Sequence, residues 1–103
     1  MISTHVLDTT KGLPAAGIKV TLSLRAGDVW SPVANAVTDI DGRVKEFASA
    51  LIEPGDYRLE FDTAAYSTFY PEVSVVFTVS DADAHHHVPV LLAPFGYSTY
   101  KGT

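Results

Sequence analysis

Hydrophobic and polar residues alternate along most of this chain, which is the pattern of a β-strand with one buried face. Between Ile18 and Leu24 every second residue is apolar, and the runs 57–61 and 73–79 repeat this period of two. Clusters of glycine, proline and aspartate separate the runs, as tight turns require. The pattern predicts eight strands, near residues 2–8, 17–25, 29–37, 43–48, 56–62, 71–80, 85–93 and 96–101.

Short strands at regular spacing are typical of two sheets packed face to face. The predicted fold is therefore all-β, an eight-stranded antiparallel two-sheet sandwich. A helix fits only around residues 62–67 and would have one or two turns. With 103 residues, the chain is expected to form a single domain over 1–103.

The first strand and the last two strands are unusual because both of their faces carry apolar residues. If Thr4 and Val6 face the core, then His5 and Leu7 face outward, and the strand near 85–93 is apolar on both sides in the same way. A chain of this size cannot cover the outside of its own sheet. The apolar residues on the outward faces of these strands therefore predict a homo-oligomer in which a partner subunit covers this face.

Composition excludes several classes of function. The formal charge of −5 and the pI of about 5.1 leave no basic patch for phosphates, so we expect no nucleic-acid partner. The chain has no cysteine, which excludes disulfides and thiolate zinc sites. No apolar run approaches the roughly 20 residues of a membrane helix, and the first residues lack the features of a signal peptide. We therefore expect a cytoplasmic protein without a membrane partner.

Four histidines and one arginine are the candidates for chemistry. Taken alone, His5 is explained by a hydrogen bond to a backbone carbonyl, and Arg43 by a solvated position after a hairpin turn. His85 and His87 share one face of a strand, so their imidazoles could converge on a metal ion. Because no cysteine completes a ligand set and the nearby aspartates fit a solvated turn, we expect no metal.

Histidines paired with an arginine suit a different chemistry. A neutral imidazole can accept a proton from water near pH 7, and a guanidinium can stabilise developing negative charge. The chain has neither the Gly-x-Ser-x-Gly pattern of a serine nucleophile nor a cysteine. These residues therefore favour direct attack by an activated water molecule.

Several short motifs in order along the chain carry a family resemblance. They are STHVLDT at 3–9, GLPA at 12–15, TDIDGR at 38–43, FYPEV at 69–73, HVP at 87–89 and YKGT at 100–103. Together they resemble the transthyretin-related family and, within it, the 5-hydroxyisourate hydrolase branch. That branch has histidine, arginine and histidine where hormone-carrying transthyretins have lysine, glutamate and threonine, and this chain has His5, Arg43 and His87 there.

The resemblance implies a homotetramer, a dimer of dimers, with its sites in the channel between the dimers. It also implies hydrolysis of the lactam ring of 5-hydroxyisourate to 2-oxo-4-hydroxy-4-carboxy-5-ureidoimidazoline in urate (purine) degradation, without metal or organic cofactor. The implied catalytic residues are His5, Arg43 and His87, and the implied substrate contacts are His5, Arg43, Tyr100 and Thr103.

Two departures from the family pattern accompany this resemblance. The chain ends with Lys101 and Thr103 where the hydrolases have arginine and serine, so a cation and a hydroxyl are kept. The connection at 66–69 is shorter than the helical connection usual in the family, which predicts a trimmed surface helix.

Two other functions fit parts of the sequence. A non-enzymatic carrier could use the same channel for a small aromatic ligand. An immunoglobulin-like or prealbumin-like structural module could serve adhesion or scaffolding, and it would be a monomer with solvated outer faces.

Overall fold

Two β-sheets pack face to face in the computed structural model, which describes residues 1–47 and 52–103. One sheet has the order β2-β1-β8-β9, with β5 also paired to β1, and the other has the order β4-β3-β6-β7. The strands are β1 Ile2–Asp8, β2 Leu13–Pro14, β3 Lys19–Ala26, β4 Val29–Val37, β5 Arg43–Val44, β6 Gly55–Asp62, β7 Glu72–Val79, β8 His86–Ala93 and β9 Gly96–Thr99.

The predicted two-sheet sandwich is confirmed, and the strand bounds differ from the prediction in a few places. The pair Leu13–Pro14, predicted as part of a turn, forms the short strand β2 against β1. The strand predicted at 43–48 is formed only at Arg43–Val44; residues 45–47 are not in a strand, and position 48 lies outside the described residues. One strand pair is parallel, β1 with β8, whereas the prediction was wholly antiparallel.

The connection around 62–67, the one place where the sequence allowed a helix, forms a single turn. The backbone N–H groups of Tyr66 and Ser67 both donate to the carbonyl of Thr63, at 2.9 Å each. The predicted trimmed helix is therefore absent, because the chain leaves the helical path after Ser67, whose hydroxyl accepts a hydrogen bond from the N–H of Tyr70 at 2.9 Å. Within the described ranges, no helix is long and apolar enough to cross a membrane.

The core lies between the two sheets, and the predicted alternation of inward and outward residues in β1 and β8 is confirmed there. Val6 and Val90 are fully buried, and each such side chain contributes about 1.5–3 kcal/mol of transfer free energy. Thr4 is also fully buried, and its hydroxyl donates to the carbonyl of Val88 at 2.6 Å, which offsets the cost of burying it. Pro89 lies on the outward side of β8 but is buried within one protomer, because Gly102 of the C-terminal tail lies over it.

Gly42 determines how closely the turn before β5 approaches β1. Its φ is +72°, in the left-handed region, and its carbonyl accepts a hydrogen bond from Val6 N–H at 2.8 Å. A Cβ at this position would collide with the carbonyl oxygen of Val6 and lie 3.0 Å from the backbone nitrogen of Ala15. Only glycine combines this φ with this contact.

We therefore predict that Gly42→Ala destabilises the fold more than Gly17→Ala. Gly17 has a φ of +78° and nothing within 4 Å of its missing Cβ, so its variant measures the backbone strain alone, about 1–2 kcal/mol. The collision with β1 should cost about 1–3 kcal/mol more. Urea unfolding of both variants measures the difference, and equal midpoints would contradict the role given to Gly42.

Candidate active site

Strand β1 brings the predicted site residues together because it pairs with two strands that carry them. On one side, His5 is the antiparallel partner of Arg43 in β5, and on the other side Ser3 is the parallel partner of His87 in β8. Ser3 and His5 are two residues apart and therefore project from the same face of β1. Three segments far apart in sequence thus place two imidazoles and a guanidinium on one face.

The turn before β5 holds His5 and Arg43 in place. The Asp39 carboxylate accepts hydrogen bonds from the backbone N–H of Asp41 at 2.9 Å and of Arg43 at 3.0 Å. The carbonyl of Asp41 accepts a hydrogen bond from Nε2 of His5 at 2.9 Å. The bond from the Arg43 N–H is the main reason that the pKa of Asp39 is lowered, so this turn is built around an ionised carboxylate.

A second group of hydrogen bonds surrounds His87. The hydroxyl oxygen of Ser3 lies 2.7 Å from Nδ1 of His87 and 2.7 Å from Nε2 of His85. The two imidazole centroids are 6.0 Å apart. Ser3 is almost completely buried, His87 is half-buried and His85 is exposed.

The C-terminal tail closes one end of this face. The N–H of Gly102 donates to the carbonyl of His87 at 2.8 Å, and a Cβ on Gly102 would lie 2.5 Å from Cδ2 of that imidazole. Glycine is therefore required where the tail crosses His87. The crossing brings Thr103 to the face that carries His5 and His87, which we call the histidine face, while Tyr100 lines a second groove of about 370 Å³ that His87 also borders.

The histidine face borders an open groove of about 350 Å³, a size suited to a small ligand. Every ionisable side chain that lines the groove is basic. The lining residues are Ser3, Thr4, Arg43, Val44, Lys45, His85, His87 and Thr103. In a chain with a formal charge of −5, this concentration of basic groups favours a polar or anionic ligand.

The surroundings of His87 favour its neutral form. Burial is the largest cause that lowers its pKa from 6.5, followed by repulsion from Arg43, His85 and His5. A neutral imidazole at pH 7 can accept a proton, which is what a general base requires. Among residues 1–47 and 52–103, no group of three or more His, Cys, Asp or Glu side chains is arranged to hold a metal ion.

The structure brings together most of the predicted site residues. His5, Arg43 and His87 share one face, and Thr103 reaches the groove beside two of them, whereas Tyr100 lies in the neighbouring groove. Sequence reasoning missed Ser3 as a site residue and considered His85 only as a possible metal ligand. The strand alternation that placed His5 on the outward face places Ser3 there too, so the sequence did carry a signal for Ser3.

Comparison with known proteins shows which family this chain belongs to. The sequence pattern of the HIUase/Transthyretin family matches residues 2–102, so the chain belongs to the HIUase/Transthyretin family. It is 46% identical over 120 residues to the uric acid degradation bifunctional protein TTL of Arabidopsis thaliana, covering 99% of this chain and 37% of that protein. It is 40% identical over 110 residues to the 5-hydroxyisourate hydrolase of Salmonella dublin, covering 100% of this chain and 81% of that enzyme.

Solved structures of a 5-hydroxyisourate hydrolase and of a transthyretin both share this fold. The 5-hydroxyisourate hydrolase of Klebsiella pneumoniae has a TM-score of 0.85 at 35% identity, covering 99% of this chain and 98% of that one. Transthyretin from Sparus aurata has a TM-score of 0.89 at 32% identity, covering 98% and 95%. Because the backbone matches both proteins closely, the side chains of the site have to distinguish between their functions.

We predict that the pKa of His87, followed by NMR titration, lies below 6.5 and rises in Arg43→Gln, because that variant removes a positive charge that opposes protonation. Arg25→Gln, a substitution in β3 of the other sheet, is the control and should leave the titration unchanged. Since the folded state binds fewer protons than the unfolded state, His87 should lower stability as the pH falls from 6.5 through its folded pKa. A pKa at or above 6.5 would contradict the electrostatic description.

Proposed function

We propose that this protein is a 5-hydroxyisourate hydrolase, an enzyme of urate degradation. The observation that carries the proposal is that His5, Arg43 and His87 share one face, where Arg43 and His87 line an open groove. Similarity to proteins named 5-hydroxyisourate hydrolase, across the whole length of this chain, supports it. The substrate is a planar bicyclic lactam, and the reaction opens its six-membered ring.

Arg43 binds the substrate and stabilises the charge that develops on the carbonyl oxygen. Its guanidinium keeps its charge at any relevant pH and offers several N–H donors to the groove. Donors aimed at a developing oxyanion contribute about 3–4 kcal/mol in other hydrolases. The paired position of His5 in β1 fixes the strand from which Arg43 projects.

His87, alone or together with His5, activates the water. The oxygen of water bonds to the carbonyl carbon of the six-membered ring while an imidazole takes its proton. The C–N bond then breaks, the ring nitrogen receives the proton, and the product is 2-oxo-4-hydroxy-4-carboxy-5-ureidoimidazoline. Proton transfer by a positioned base typically contributes about 10²–10⁴-fold to the rate.

The tail supplies further contacts to the substrate. The terminal residue Thr103 lies at the groove with His87 and Arg43, and its hydroxyl binds the substrate edge. In a single protomer Tyr100 lines the second groove, which His87 also borders, and its contact with the substrate is proposed for the assembled subunits. Lys101 keeps a positive charge beside the site but cannot form the bidentate contacts of an arginine.

The assembly that we propose is a homotetramer, a dimer of dimers, with the sites at the dimer–dimer interface. Leu7 and Leu91 are paired across β1 and β8 on the outer face, beside the histidines, and both remain only half-buried in one protomer. A partner subunit would cover this apolar strip and close the open groove. The cytoplasmic location expected from the sequence stays a prediction.

We predict that His87→Asn keeps the fold and lowers kcat by roughly two orders of magnitude, because it removes a general base. The measurement is the decay of freshly generated 5-hydroxyisourate, followed by absorbance with and without protein. The matched control is His86→Asn, because His86 projects from the opposite face and an asparagine amide can replace its hydrogen bond to the Ala84 carbonyl.

The carrier function predicts a different result in the same assay. A carrier would bind a small aromatic ligand but would leave the decay rate of the substrate unchanged in the wild type. A near-native rate in His87→Asn would remove this imidazole from the mechanism while leaving the activity itself established.

For the assembly, we predict a native mass of four protomers, as the family resemblance implies, and the apolar outer face of β1 and β8 supports a partner subunit there. Leu91→Glu, which places a charge on the half-buried outer face, should shift the mass toward smaller species and lower turnover with it. Val29→Glu, an exposed change in β4 of the other sheet, is the control. A wild-type protein that is fully active as a monomer would contradict the tetrameric site.

A further inference from the structure

The hydroxyl of Ser3 lies between the imidazoles of His85 and His87. Its oxygen is 2.7 Å from Nε2 of His85 and 2.7 Å from Nδ1 of His87, and both distances are those of good hydrogen bonds. The backbone maintains this arrangement because Ser3 is the β1 partner of His87 in β8. Ser3 is only 4% exposed, so water does not compete for its hydroxyl.

A hydroxyl has one hydrogen and two lone pairs, so it can donate to only one of the two imidazoles. If Ser3 accepted from both, its own O–H would be buried without an acceptor, since His85 and His87 are the side-chain partners of its oxygen in the described part of the chain. Two arrangements satisfy both contacts and the O–H of Ser3. In the first, Ser3 donates to Nδ1 of His87 and accepts from an N–H at Nε2 of His85. In the second, Ser3 donates to Nε2 of His85 and accepts from an N–H at Nδ1 of His87.

Only the second arrangement leaves His87 able to act as a base. In the first, Nδ1 of a neutral His87 is an acceptor, so the ring proton is on Nε2 and neither nitrogen can take a proton from water. In the second, the proton is on Nδ1, and Nε2 keeps its lone pair. The direction of the Ser3 hydroxyl therefore decides whether His87 can perform the proposed step.

The surroundings favour the second arrangement. Arg43 and Lys45, which line the same groove, have only hydrogen-bond donors, so a lone pair on Nε2 of His87 suits them better than another N–H. His85 is exposed, so a proton on its Nδ1 can be hydrated by water while its Nε2 accepts from Ser3.

We propose that Ser3 and His85 are positioning residues that hold the ring proton of His87 on Nδ1 and leave Nε2 free as the base. The inference rests on the proposed function and adds two residues to it. Neither residue has to touch the substrate. Ser3 donates its hydrogen to Nε2 of His85 and accepts the N–H at Nδ1 of His87. His85 thus supplies the acceptor that fixes the direction of both hydrogen bonds.

The first test compares Ser3→Thr with Ser3→Val. Threonine and valine have nearly the same shape, so any difference between the variants reports the hydroxyl and not the packing of β1. If the hydroxyl has no role, the kcat values of Ser3→Thr and Ser3→Val should lie within about threefold of each other. We expect instead that Ser3→Val is at least ~10-fold slower than Ser3→Thr. KM should differ little between them, because Ser3 makes no substrate contact in this scheme.

The second test compares His85→Gln with His85→Leu. The amide oxygen of glutamine can accept a hydrogen bond from Ser3 in place of Nε2, whereas leucine cannot. We expect His85→Gln to recover most of the wild-type kcat and His85→Leu to lose at least ~10-fold. Equal kcat values within both pairs, Thr with Val and Gln with Leu, would overturn the inference.

A readout that does not depend on turnover is the ¹⁵N NMR spectrum of the imidazoles, which distinguishes a protonated from an unprotonated ring nitrogen. At a pH where His87 is neutral, we expect its proton on Nδ1 in the wild type and in Ser3→Thr, and a shift toward Nε2 in Ser3→Val. A wild-type spectrum with the proton on Nε2 would overturn the inference. If the wild type fails to hydrolyse 5-hydroxyisourate, the proposed function fails, and the spectrum still decides the tautomer.

Discussion

The pairing of β1 with β5 on one side and with β8 on the other is the constraint on which the site depends. In a strand the side chains alternate between faces, so a shift of one residue in either pairing would send a whole set of side chains to the opposite face. The observed register places Ser3 beside His87 and His5 beside Arg43. Because Ile2, Thr4 and Val6 are buried in the core, such a shift would also expose them. The core therefore maintains the geometry of the site.

The electrostatics of the groove are consistent with the proposed base catalysis. The overall charge is −5, yet the ionisable residues of the groove are all basic. No Asp or Glu side chain lines the groove, and the nearby positive charge of Arg43 opposes protonation of His87. The Asp39 carboxylate in the turn before β5 is engaged with backbone N–H groups. Positive charge thus has two proposed effects: it attracts the substrate, and it adds to burial in keeping the imidazole of His87 neutral.

Much of the fold could be predicted from the sequence because period-two alternation and turn residues are local signals. They located β1 and β4 to the residue and gave the correct inward face for Thr4 and Val6. The parallel pairing of β1 with β8 could not be predicted in this way, since strand order depends on contacts between segments more than 80 residues apart. The short strand β2 was missed because a Leu-Pro pair after a glycine has the composition of a turn.

The candidate site was predicted less completely, again because it depends on contacts between segments that are far apart in the sequence. His5, Arg43 and His87 were identified through a family resemblance, because no local pattern indicates that three separate strands will meet. The role of Ser3 requires the Ser3–His87 register, which leaves no mark in composition or spacing.

The central claim is that Arg43 and His87 act on one substrate as parts of one site. A double-mutant cycle on kcat/KM for 5-hydroxyisourate, with Arg43→Gln, His87→Asn and the double variant, tests this claim most directly. Residues that act as a unit are non-additive, so the double variant should be about as slow as the slower single variant. Losses that multiply, as for two independent sites, would contradict the account.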